Sequence, residues 1–351
     1  MNAVRTITVL RSADLALTRA GLEALAGRFP GARITLLAQP GVFEHCRETL
    51  SRLCSVTPYP FRDFNLAVPA TALAELPRAD LAVALYKNQG QGYQEVDAFL
   101  LARVPAAAHA GLTGAMEFRP FPAGRVARLR ALWEGWRRLH GSSLTAALRS
   151  CSFSRAHGGG RSAVVFCGDS RIVVDPGGRV ELAPHALVRV GYMPPEWEHV
   201  RDPGRAVVRV QAGGTLSFGG SVNLFAGVRV NVFPGARVHI GEGSYVAFNS
   251  RVFAETEVHI GANCAISWDV EIFDTNFHRT TMDPNEAVGA GVHVDDQCWI
   301  GAGARILRGV RLGRGVVVGA QSVVKGSFPD GAVAAGNPAV QKSIKQPGVR
   351  I

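Results

Sequence analysis

The sequence predicts a β-solenoid behind a small α/β domain, and three observations carry that reading. From Val210 onward an aliphatic residue, or occasionally proline, returns every six residues. Small residues sit four positions after many of these, and glycine often follows them directly, as at Gly241, Gly261, Gly301, Gly313 and Gly319. Residues 1 to about 120 instead alternate short apolar runs with helix-like segments, and an arginine-rich stretch joins the two regimes.

The repeat runs through Val210, Leu216, Val222, Val228, Pro234, Ile240, Val246 and Val252. After a two-residue slip it resumes at Ile260, Ile266 and Ile272, breaks over 278–293, and continues at Val294, Ile300, Ile306, Leu312, Val318 and Val324. In a strand alternate residues share a face, so the first and fifth positions of each hexad point into a common interior and the glycine positions make corners. Three short strands per coil follow, with an expected coil of about eighteen residues and a stacking distance near ~4.8 Å. Less regular turns around Ile172–Gly178 place the start of the solenoid near residue 170.

In the first region Thr6–Leu10 reads as a strand, Leu15–Phe29 as a helix, Ala32–Leu37 as a strand and Val42–Leu53 as a helix. Asp80–Tyr86 then reads as a strand and Tyr93–Ala102 as a helix, an order that yields a parallel, Rossmann-like sheet covered by helices. Between Arg119 and Arg149 stand seven arginines and one acid, Glu134, while Leu129, Leu132, Trp133, Trp136 and Leu139 follow the spacing of a helical stripe. This segment is expected to pack its stripe on one of the two domains; the other reading of a basic amphipathic helix is an anionic membrane surface. The expected division is therefore 1–120, α/β; 121–160, basic helical connector; 161–345, solenoid.

The chain has 351 residues and a formal net charge of +10, which suits phosphate-bearing ligands or solubility. No nucleic-acid-binding motif accompanies the charge. No run approaches the ~20 apolar residues of a membrane span, and the N-terminus lacks a secretory pattern, so a cytoplasmic protein without an integral membrane segment is expected. The six cysteines lack metal-ligand spacing, and Cys264 and Cys298 fall at inward repeat positions.

Two resemblances sharpen these readings. Val9-Leu10-Arg11-Ser12-Ala13-Asp14, with Ala24-Leu25 and Arg28 to Ile34, resembles the N-terminal half of heptosyltransferase-like glycosyltransferases, whose second half has no counterpart here; acceptor binding and packing both remain open for this domain. Ile260-Gly261-Ala262-Asn263, Asp274-Thr275-Asn276-Phe277-His278, Trp299-Ile300-Gly301-Ala302-Gly303-Ala304 and Gly336-Asn337-Pro338-Ala339 are similar to the hexapeptide-repeat acyltransferases of the maltose, galactoside and polysaccharide O-acetyltransferase type. That resemblance implies a left-handed parallel β-helix, a homotrimer with sites between subunits, acetyl-CoA as donor and a sugar or glycan hydroxyl as acceptor, with no metal.

Acyl transfer to a hydroxyl needs a base for its proton and a donor for the oxyanion. His278, at the mouth of the interruption, matches the family's base. Asn249 resembles the asparagine near the acceptor hydroxyl, with a corner role as its alternative, and Asp274 could fix the imidazole tautomer. Trp299, Gly301 and Ala302 resemble the segment beside the thioester, and Ala320, Val324 and Lys325 the positions along the pantetheine arm and nucleotide. A competing constellation is His239, His259 and His293, expected to stack on one corner; this would suit a zinc hydratase of the γ-class carbonic anhydrase type. An inactive solenoid scaffold is the third reading.

Overall fold

The computed structural model describes residues 4–87, 93–121, 124–194, 204–278 and 289–344. The chain divides into two compact units, Met1–Ser142 and Ser143–Ile351. Among the described residues no helix is long and apolar enough to cross a membrane.

The first unit is a six-stranded sheet in the order β3-β2-β1-β4-β5-β6, formed by Thr6–Leu10, Arg33–Ala38, Ser55–Pro58, Ala79–Leu85, Ala106–Leu112 and Phe118–Pro120 in chain order. All neighbours are parallel except β5 and β6. Helices α1, Leu15–Arg28, and α2, Phe43–Leu50, bury Leu22, Leu25, Cys46 and Leu50 against one face with Ile7, Val9 and Val83. Helix α3, Gln94–Arg103, buries Phe99 and Leu100 against the other face with Leu10, Ala82 and Ala84. Alternation along each strand thus feeds two helical layers, as the βαβ order requires. Strands β3, β5 and β6 had no counterpart in the periodicity.

The boundary between the units falls inside the arginine-rich segment. Helix α4, Arg125–His140, packs on α3 within the first unit. Its contact face is set by Gly135, where a Cβ would lie 2.2 Å from that of Ala98. Close approach at Gly135 turns the helix so that Leu139 is buried but Val126, Leu129 and Trp133 face solvent. The stripe therefore does not pack inward along its length, contrary to the expectation.

The second unit opens with α5, Leu144–His157, which covers the first coil of a parallel solenoid. Ser154 Oγ accepts from the Val164 amide at 2.8 Å and Ser150 Oγ from Phe166 at 2.9 Å, so the open strand edge is satisfied at the start of the stack. Three faces follow. Face one carries Tyr245–Val246, Ala265–Ile266, Trp299–Ile300 and Val317–Val318; face two carries Arg251–Ala254, Glu271–Phe273, Arg305–Ile306 and Val323–Val324; face three carries Arg237–Ile240, Glu257–Ile260, Val292–Val294 and Arg311–Leu312. Earlier strands extend each face back to Ala163, Arg171 and Arg179.

Of the hexad aliphatics, Val252, Ile272, Ile306 and Val324 lie in register as an inward column on face two, which Val208 and Val230, outside the hexad series, extend backwards; all six are buried. Two details differ from the expectation. Pro234 is exposed in a turn. The coil is eighteen residues only late in the solenoid, as from Val294 to Leu312, Ile300 to Val318 and Ile306 to Val324; it is twenty-two from Val230 to Val252 and twenty from Val252 to Ile272. The extra residues widen corners and leave the columns intact. Corner turns use left-handed backbone at Asn249, Asn263 and Asp269 as well as at glycines, which is why asparagine and aspartate recur there.

Ile272 is stacked between Val252 and Ile306 with no solvent access. Ile272→Ala should lower the stability of the solenoid by about 2–5 kcal/mol, read as a fall in the urea midpoint of its unfolding. Val173→Ala, on the outward side of the same face, should change it by less than about 0.5 kcal/mol.

Candidate functional site

The interruption in the repeat leaves the solenoid at the edge between faces two and three. Of the residues expected to form it, 279–288 lie outside the described residues. Its two roots are fixed. Asp274 is fully buried, and its carboxylate accepts from the amides of Glu255 at 2.8 Å, Thr256 at 2.7 Å and Glu257 at 2.6 Å, all on the preceding coil. Burial pushes the Asp274 carboxyl above the ordinary carboxylate value, with the three amide bonds pulling the other way. The Asp274 carbonyl accepts from the Ala290 amide where the chain returns. Thr275 Oγ1 donates to Glu255 at 2.5 Å and accepts from the Phe277 amide at 2.9 Å.

This clamp corrects the role expected of Asp274. Among the described residues its partners are three backbone amides, and His278 is not one of them. The three amides commit the carboxylate to the preceding coil, so Asp274 pins the root of the loop. Beyond it the chain turns through left-handed Phe277 and presents His278 to solvent.

An aromatic shelf that the periodicity did not reveal lies beside His278. Phe253 and Phe273 stack one coil apart at 5.2 Å on the outward side of face two. Phe277 meets them edge-on at 6.2 and 5.8 Å, and meets Phe233 at 6.0 Å. The signal was present as phenylalanines twenty residues apart, but it becomes legible only once the coil length is known.

The other expected residues separate into groups. Asn249, Gly301, Ala302 and Ala320 occupy turns at the edge between faces one and two. Trp299 lies outward on face one, half-exposed, with Nε1 donating to Ser267 Oγ at 3.2 Å. The Gly301 amide is spent on the Val318 carbonyl at 2.8 Å, whereas the Ala302 amide has no acceptor among the described residues and its carbonyl accepts from Gln321. A Cβ at Gly301 would lie 2.6 Å from the Ala320 nitrogen, so the close stacking of this turn requires glycine. Lys325 is exposed and shares the two/three edge with His278. Val324 points into the solenoid core with no solvent access, so it cannot line a ligand channel. Within one chain His278 and Asn249 stand on different edges. A groove at the one/two edge is lined by Asn249 together with Arg229, Arg251, Glu271, Arg305 and Gln321, and Glu271 bridges Arg251 at 3.0 Å and Arg305 at 2.8 Å.

The histidines 239, 259 and 293 do stack, but on the outward middle of face three and not on a corner. Their rings lie 4.9 Å apart at 13° and 6.0 Å apart at 28°, and Ser217 Oγ pairs with His239 Nδ1 at 2.9 Å. Face-to-face rings send their in-plane nitrogen lone pairs along parallel directions, so the column does not converge on one ion. Burial holds the His239 and His293 imidazoles below the usual histidine value, which favours the neutral form of these two. Among the described residues no group of three histidine, cysteine or carboxylate side chains has metal-binding geometry.

Residues 291–326 match the family described as bacterial transferase hexapeptide (six repeats). A putative lipopolysaccharide biosynthesis O-acetyl transferase of Escherichia coli K12 is 30% identical over 144 residues, which cover 38% of this chain and 72% of that protein. The chain belongs to the hexapeptide-repeat acyltransferase family. The solenoid of this family member is accordingly a left-handed parallel β-helix. A galactoside O-acetyltransferase of Lactococcus lactis is 34% identical over 105 residues, 29% of this chain, which spans 50% of that relative's length. Among solved structures, the polySia specific acetyltransferase NeuO aligns with 54% of this chain and 92% of its own at a TM-score of 0.32 and 19% identity. AntD, an N-acyltransferase from Bacillus cereus in complex with a dTDP-amino sugar and coenzyme A, aligns with 53% of this chain and 82% of its own at a TM-score of 0.35 and 17% identity.

Asp274→Asn keeps the shape but replaces one acceptor oxygen with a donor, leaving at least one buried amide unpaired. It should cost about 1–3 kcal/mol of solenoid stability in urea unfolding while leaving the pH profile of turnover unchanged; a changed pH profile would return Asp274 to the imidazole.

Proposed function

We propose that the protein transfers an acetyl group from acetyl-CoA to a sugar hydroxyl, in the assembly of a cell-surface polysaccharide or other glycan, with His278 as general base. The observation that carries this reading is the placement of His278: it is exposed beside the aromatic shelf, at the root of a loop anchored by Asp274 and Thr275. The relatives, one named a galactoside O-acetyltransferase and the other a putative lipopolysaccharide biosynthesis O-acetyl transferase, support the class of donor and acceptor.

In this scheme the imidazole of His278 takes the proton of the acceptor hydroxyl as its oxygen attacks the thioester carbonyl. The Ala302 amide, left without an acceptor among the described residues, donates to the developing oxyanion. Collapse of the tetrahedral species breaks the carbon–sulfur bond, and the imidazolium returns its proton to the leaving thiolate. Trp299 and Ala320 flank the pantetheine arm, and Lys325 offers a point charge to a phosphate of the nucleotide. The shelf of Phe253, Phe273 and Phe277 gives the apolar face of a sugar ring a surface to rest on.

Because His278 and Ala302 stand on different edges of one solenoid, a site that uses both takes one edge from a second copy. A homotrimer closed around a threefold axis supplies that pairing three times with identical contacts. The donor is a cytoplasmic metabolite, and we place the enzyme in the cytoplasm.

His278→Ala should lower kcat by about 10²–10⁴-fold, the usual worth of a positioned acid–base group, while acetyl-CoA affinity stays nearly unchanged. His293→Ala should leave turnover close to normal; loss of activity there, or normal turnover in His278→Ala, would remove the basis of the scheme.

A further inference from the structure

We propose that helix α4 docks the protein on an anionic lipid surface, lying in the plane of the headgroups. The helix has one packed face and one bare one. Gly135 seats it against Ala98 and Gln94 of α3 and Leu139 is buried, while another side exposes Val126 at 81%, Leu129 at 65% and Trp133 at 51% of their surface. Trp136 continues the strip, its ring stacked on Trp133 at 4.9 Å. Counted at 100° per residue, these four fall within about a quarter of the helical circumference. Arg130 and Arg137 border the strip on one side and Arg125 on the other.

Soluble surfaces rarely leave a strip of this kind open, with two indoles and two aliphatic side chains in line on one helix. Charge decides what covers it. The α4 helix contains five arginines and a single acid, Glu134, and that acid is paired with Arg137 at 3.1 Å. A second copy of the chain would bring the same arginines and a formal net charge of +10 toward them, so self-association through this face opposes like charges. A bilayer with anionic headgroups answers both features: the indoles and aliphatics enter the headgroup boundary, and the arginines keep their guanidinium groups at the phosphate level. Helix α4 is too short and too charged to span such a layer, which leaves it in the interface plane.

The test is co-sedimentation of the full-length protein with vesicles of phosphatidylcholine alone and of phosphatidylcholine with about 30 mol% phosphatidylglycerol. The protein should pellet with the anionic vesicles only, and about 0.5 M salt should release most of it. The double variant Leu129→Glu with Trp133→Glu, which alters exposed side chains and should retain the parent's urea midpoint, should weaken that binding by about tenfold or more. Binding that is equal on neutral vesicles, equal in the double variant, or absent on anionic vesicles would overturn the proposal. So would an assembly that the double variant dissociates in lipid-free sedimentation velocity, because the strip would then be a contact between copies.

Discussion

Parallel pairing of the solenoid strands from one coil to the next, up to the antiparallel pair Ala332–Gly336 and Ala339–Ile344 that ends face one, is the constraint on which the rest of this structure depends. It fixes which residue lies above and below each position, so the chain can change length only at corners. Val230, Val252, Ile272 and Ile306 hold one column although the coils between them differ in length, and the interruption after His278 leaves the register of Ile272 with Ile306 undisturbed. The same rule places polar and aromatic residues in outward columns, where neighbours one coil apart interact as cross-strand pairs. The phenylalanine shelf and the histidine ladder are both products of that stacking.

In the proposed scheme the edges carry the chemistry because the columns leave them free to. An inward side chain is committed to the core, and a ladder amide is committed to the next coil. Only a turn can leave an amide without an acceptor among the described residues, as at Ala302, or let the chain depart from the coil, as after Phe273. The clamp at Asp274 illustrates the cost of doing so. Extruding a loop leaves corner amides of the preceding coil without strand partners, and a buried carboxylate satisfies three of them at once. That one residue therefore ties the geometry of the His278 turn to the coil beneath it.

Much of this was legible in the residues, and the exceptions have physical reasons. The hexad aliphatics identify the inward columns because burial in a solenoid is periodic, and the residue pattern from Asp274 to His278 points to the turn that holds the exposed histidine. Coil length was misjudged because a corner accepts two or four extra residues at little cost to the core. Val324 belongs to the aliphatic column by the same periodicity that found Ile306, and burial settles its place against a lining role. Asp274 was misread because sequence proximity to His278 says nothing of which way a corner side chain turns. The stripe on α4 was rightly seen as helical, but which of its sides packs is decided by Gly135, a residue with no side chain to mark it.

The most direct test of the central claim is to incubate the protein with acetyl-CoA and a panel of sugars and oligosaccharides, following free thiol and the mass of the acceptor together. The account predicts thiol release that depends on the sugar and matches, mole for mole, the appearance of a base-labile acetyl ester on it. A folded protein that binds coenzyme A yet releases no thiol with any carbohydrate acceptor, or that acetylates only an amine, would contradict it.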